Sequence, residues 1–155
     1  MSENAANAAA NEGPIFNVHK LYNKNISVEV PNAPACFKNE TAPEISVQLA
    51  NLATQIDDGL TEVALRLTVT AKVGDDVLYL VEIEQAGVFT IEGFSDEQRS
   101  HMEGAFCPNI LFPYARETLD SMVLKAGFPP LTLAPVNFDL LYAQRLEQMQ
   151  AEGNA

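Results

Sequence analysis

From Glu62 to Val73 the chain alternates without interruption. Val63, Leu65, Leu67, Val69, Ala71 and Val73 fall on one parity; Glu62, Ala64, Arg66, Thr68, Thr70 and Lys72 fall on the other. Strict period-two alternation of this length is the pattern of a half-buried β-strand. Asp57-Asp58-Gly59 precedes it and Gly74-Asp75-Asp76 follows it, and both carry hairpin-turn chemistry. A strand bracketed by tight turns pairs with what comes directly before and after it, so the middle of the chain must be an antiparallel sheet. Before it, Ile45, Val47 and Leu49 alternate with Ser46, Gln48 and Ala50. After it, Val77 to Ile91 is apolar on both faces: Val77, Tyr79, Val81, Ile83 and Phe89 point one way, while Leu78, Leu80, Ala86 and Val88 mix with Glu82 and Glu84 on the other. Such a strand is expected to be covered on both sides, by a helix on one and a subunit contact on the other.

The segment Ile15–Val30 reads as a further long strand with a break or bulge near Asn23. It is able to pair beside the fourth strand, but the strand order stays open at this level. Pro31-Asn32-Ala33-Pro34 ends it, and a loop to Pro43 carries Cys36 and Phe37. Ser95-Asp96-Glu97-Gln98 predicts a capped short helix. A main helix is expected from near Asn109 to Ala126, with Pro113 in its first turn and Phe112 and Leu124 outside its apolar stripe. Asn137 caps a last helix that runs to about Met149. Between the two lies Gly127-Phe128-Pro129-Pro130-Leu131-Thr132-Leu133-Ala134-Pro135, a stiff, apolar, extended connector. The expectation is an α+β fold: a four-stranded antiparallel sheet packed with a long helix and a second, terminal helix. It forms one domain over residues 15–149, between a disordered tail at 1–14 and a short one at 150–155.

Charge excludes one class of function. Nine Lys and Arg stand against 21 Asp and Glu, a net −12, with the positive residues scattered, so nucleic-acid binding has no basic patch to work with. The acidity suits a basic partner or serves solubility alone. No apolar run approaches the ~20 residues of a membrane span, and MSENAANAAANEG lacks a secretory pattern; the expectation is a cytoplasmic protein without membrane insertion. Two cysteines, Cys36 and Cys107, are too few for a disulfide framework.

Chemistry is sparse. No nucleophile elbow, phosphate loop or HExxH word occurs. His19, His101, Cys36 and Cys107 lack the close ligand pair of a zinc site, and no catalytic residue, metal or cofactor is expected. The enzyme alternative is a hot-dog-like α+β site using Glu117 or Asp120 on the main helix, against which Arg116 and Asp120 read as an i,i+4 pair on a solvated face. The other reading is binding: the apolar connector with Phe37, Phe128, Phe138 and Tyr142, rimmed by acids, suits an extended apolar peptide.

Four long words carry a resemblance: YNKNISVEVPNAP (Tyr22–Pro34), LYLVEIEQAGVFTIEG (Leu78–Gly93), CPNILFPYARE (Cys107–Glu117) and GFPPLTLAPVNFD (Gly127–Asp139). Together they resemble the SecB family of protein-export chaperones over about Ile15 to Tyr142. The resemblance implies an ATP-independent holdase that binds unfolded precursors and passes them to the motor ATPase SecA for export across the inner membrane. It implies a homotetramer, a dimer of dimers. Carried over, the client groove takes Ile45, Val47 and Leu49, then Phe128, Pro129, Leu131 and Leu133, then Phe138, Leu141 and Tyr142, with Phe37 added. The SecA-facing positions are Asn25, Glu29, Leu80 and Glu82, Asn25 standing where the family usually has aspartate. Tyr79, Val81, Ile83 and Gln85 match positions that influence the dimer–tetramer balance.

Overall fold

Period-two alternation and two glycine turns build the sheet. A computed structural model describes residues 13–153; nearly all of the tail expected at 1–14, and residues 154–155, lie outside the described residues. β1 (Ile15–Glu29), β2 (Glu44–Asp57), β3 (Leu60–Val73) and β4 (Asp76–Glu92) form one antiparallel sheet in the order β1-β4-β3-β2. Gly59 and Gly74 turn the two hairpins at φ +72° and +60°, a region glycine enters without steric cost. The order left open by the sequence is thus a Greek-key one: β2, β3 and β4 meander, and β1 returns to the far side of β4. The free edges of the sheet are β1 and β2.

β1 carries two register shifts, not one. The pairing slips between Val18 and Lys20 and again between Asn23 and Asn25. Each slip moves the following residues to the opposite face. Phe16 and Val18 therefore share the face of Ile91 and Phe89, while Lys20 and Tyr22 lie with Val88 and Ala86 on the other. After the second slip Ile26 and Val28 return to the first face, opposite Ile83 and Val81.

One sheet face is covered by helix. α1 (Asp96–His101) begins with a capping box: the Ser95 Oγ accepts from the Gln98 N–H at 3.2 Å, and the Gln98 side chain accepts from the Ser95 N–H at 3.0 Å. A π-helical turn, Met102–Phe106, then leads directly into α2 (Cys107–Lys125). The expected fresh start near Asn109 does not occur, and Pro113 stands inside the helix. An internal proline costs about 3 kcal/mol, which burial of Cys107, Leu111, Ala115, Leu119 and Val123 against the sheet offsets. Phe112 is also buried, edge-on to Phe138 at 5.8 Å, so it belongs to the core and not outside it. α2 ends in a Schellman motif: Phe128 N–H donates to the Val123 carbonyl at 3.1 Å and Gly127 N–H to that of Leu124 at 3.0 Å. Gly127 has φ +96°, and a Cβ there would meet the Phe37 ring at 2.9 Å. α3 (Phe138–Gly153) is capped by the Asn137 side chain, which accepts from Leu140 N–H at 3.1 Å. It continues as helix past Met149, into the stretch expected to be a tail.

Tyr79, Val81, Ile83 and Gln85 are buried on the helix side of β4, the strand against which α2 packs. Gln85 Nε2 donates to the Tyr22 carbonyl at 3.1 Å, beside the second slip of β1. Within the single chain these four residues are core.

Candidate functional site

The helix-side face of β2 is left half-covered, because α2 lies over β3 and β4. Ile45 and Val47 are 39% and 42% exposed there, and Leu49 is partly buried. Two depressions flank them. The first, about 420 Å³, is lined by Phe37, Ile45, Tyr79, Phe128, Pro129 and Leu131, among others. Its aromatic floor is compact: Phe128 lies 5.3 Å from Phe37 and 4.8 Å from Tyr79 between ring centroids. The second, about 370 Å³, lies between β2 and α3 and includes Leu49, Phe138, Leu141 and Tyr142. Val47 stands between Ile45 and Leu49 on the same face and joins the two. Leu133 does not line either depression; it packs against the core from the connector. The residues expected to receive an extended apolar segment are thus brought together along one edge of the sheet, Leu133 excepted. Tyr79 is an addition to them; its ring is a floor that only the tertiary fold reveals.

Each wall of this groove is pinned. The Gly104 backbone in the π turn admits the Tyr142 ring so closely that a Cβ would sit 2.6 Å from it. Ser100 and Tyr142 hydroxyls bond at 2.8 Å, and His101 Nε2 meets Asp139 at 2.6 Å. These contacts set α3 against α1. Across the groove, Asp120 Oδ1 accepts from the backbone N–H groups of Leu131 and Thr132 at 3.1 and 3.2 Å. Arg116 donates to the Leu133 carbonyl at 3.4 Å. Arg116 and Asp120 therefore do not mark a solvated face; both grip the connector. Glu117 is exposed and accepts from Ser121 at 2.9 Å. Neither carboxylate lines the two depressions described above.

The other sheet face is polar. The β1–β4 register sets Glu29 opposite Leu80 and Asn25 opposite Glu84, so Asn25, Glu29, Leu80 and Glu82 share that face. Arg66 reaches both neighbouring acids, Glu82 at 3.4 Å and Glu84 at 3.3 Å. Tyr22 donates to Glu62, which also pairs with Lys24 at 2.9 Å. Tyr22 is pushed up to about 12, first by burial and then by Glu62. The Glu62 carboxyl is held below its usual range, chiefly by the Tyr22 hydroxyl. Cys107 is pushed up to about 12 by burial and by nearby Glu103, which leaves an inert thiol. Among the described residues no three His, Cys, Asp or Glu side chains converge as metal ligands, and no helix is long and apolar enough to cross a membrane.

The family model of SecB, preprotein translocase subunit, matches residues 9–149. The protein-export protein SecB of Pseudomonas fluorescens is 48% identical over 148 residues, covering 96% of this chain and 93% of that protein. That of Chromobacterium violaceum is 51% identical over 142 residues, covering 92% and 95%. Among solved structures, a SecB-like chaperone of Mycobacterium tuberculosis, in complex with a ChAD peptide from the HigA1 antitoxin, superimposes with a TM-score of 0.65 at 16% identity, over 84% of this chain and 94% of that one.

Proposed function

The chain belongs to the SecB family, and from that premise we propose that it is a holdase chaperone of protein export that receives unfolded precursors in the groove beside β2. The observation that carries the reading is the groove itself: apolar, open along its length, floored by half-exposed Ile45 and Val47 and walled by an apolar proline-rich connector. Apolar burial supplies affinity without demanding a particular sequence, at ~25 cal/mol per Å². The free edge of β2 offers main-chain hydrogen bonds to an extended segment as well. Phe37, Leu49, Phe128, Pro129, Leu131, Phe138, Leu141 and Tyr142 complete the client surface, and Leu133 supports it from below. The protein works in the cytoplasm and does not catalyse a reaction on its clients.

The finer assignments belong to the same reading. Asn25, Glu29, Leu80 and Glu82 form the face that meets SecA, an acidic patch offered to a basic surface. The protein assembles as a tetramer. In support, apolar side chains stand uncovered on the helix side: Val18, Ile26 and Val28 along β1, with Phe106 and Tyr114 on the helical layer. Surfaces of this kind mark protein contacts.

The test is replacement of Ile45, Val47 and Leu49 together by Ala. None of the three is fully buried, so the loss of stability should stay well below the ~2–5 kcal/mol of each core Leu→Ala change. Binding of a denatured precursor should weaken about tenfold or more and should persist in moderate salt. A folded triple variant with unchanged affinity would reject the groove.

A further inference from the structure

Thr132 sits at φ +49°, the one non-glycine residue with positive φ among those described. A β-branched residue in that region is strained, and such strain persists only where the surroundings hold it. What holds it is specific. Pro129 and Pro130 have no N–H, so Leu131 and Thr132 supply the first donors after them, and both donate to one oxygen of Asp120. One turn earlier on α2, Arg116 donates to the next carbonyl, Leu133, while its guanidinium lies 5.7 Å from the Phe112 ring centre. Hydrogen bonds to charged groups are about twice as strong as neutral ones.

We propose that Asp120, seconded by Arg116, is a positioning residue for client binding: a charged clip on α2 that fixes the connector so that Phe128 and Leu131 present their side chains to the groove. It touches no client and acts only through the connector. The inference rests on the groove reading above. Apolar grooves tolerate many clients, but each loses affinity if one wall must be ordered at the moment of binding. The clip removes that cost beforehand.

The experiment compares wild type, Asp120→Ala, Asp120→Asn and the triple β2 variant in the full-length protein. Amide hydrogen exchange is read at Leu131 and Thr132, and affinity is read with one denatured precursor. Loss of the acceptor in Asp120→Ala should speed exchange at both amides and weaken precursor binding, each by roughly tenfold. Asparagine keeps an acceptor oxygen of the same reach but not the charge, and should restore part of both. Asp120→Ser, too short to bridge both amides, replaces the alanine variant if that fails to fold. Slow exchange in Asp120→Ala beside an impaired triple variant would overturn the clip alone. The clip is equally overturned if Asn is as impaired as Ala, or if exchange accelerates with no change in affinity. Unchanged precursor binding by the triple variant would overturn the groove, and this proposal with it.

Discussion

Tyr22 and Glu62 face each other across β4, 40 residues apart in sequence, and each changes the other's titration. The signs differ. Tyr22 is raised from 10.0 to about 12 in the fold, so its contribution to stability is complete below pH 10 and is lost as pH rises towards 12. Glu62 is lowered from 4.5, so its contribution is present above that value and is lost as pH falls through the folded one. Tyr22→Phe removes the donor from both. The difference in melting temperature between wild type and Tyr22→Phe should be largest near pH 7 and shrink at both the acid and the alkaline end. A difference that does not vary with pH would mean that the pair is not coupled. None of this is legible in the sequence, because a bulge at His19 that the sequence does not announce puts Tyr22 on the Glu62 side of the sheet.

At the scale of elements, the pairing of β4 with α2 decides what a mutation does. Val81 and Ile83 are fully buried between them. Ile83→Asp should therefore destabilise the subunit itself, on the order of 4 kcal/mol, since it buries a carboxylate without a partner. Val28, opposite Val81 on the edge strand, remains 38% exposed. Val28→Asp should leave the isolated fold within about 1 kcal/mol of wild type and act on assembly instead. Urea denaturation with light scattering separates the two. If Ile83→Asp gave a stable, folded dimer, the core placement would be refuted. The same element scale explains the continuous helix. Pro113 argues locally for a helix start nearby, but the packed face of Leu111, Ala115, Leu119 and Val123 outweighs that argument.

On the scale of the whole molecule, the sheet separates the two surfaces proposed above. The groove lies on the helix side of β2, and the acidic patch of Glu29 and Glu82 lies on the opposite face. A partner on one face need not displace a client on the other. Exposed charge contacts contribute only ~0–1 kcal/mol each, so the proposed contact with SecA relies on the patches of the proposed tetramer acting together. Glu82→Lys also places a cation beside Arg66, its present partner at 3.4 Å. It should cut SecA affinity sharply, with wild-type binding falling as salt rises and precursor binding nearly unchanged. Titrating SecA against both proteins at two salt concentrations checks this, and equal affinities would refute the patch.

Sequence alone determined what depends on near neighbours. The alternation of β3, the turns at Gly59 and Gly74, the cap at Ser95 and the non-helical connector each follow from a few consecutive residues, and each stands in the structure. Family words added the groove residues, which periodicity could not separate from core. Only the tertiary structure decided what depends on distant partners. It set β1 beside β4 and bent it twice, buried Tyr79, Val81, Ile83 and Gln85 on the helix side of β4, and drew Phe112 inward against Phe138. It also turned Asp120 from an apparent surface charge into the anchor of Leu131 and Thr132. The reason is common to all of these: a side chain's local pattern states which face it belongs to, but what covers that face is chosen by the chain that folds over it.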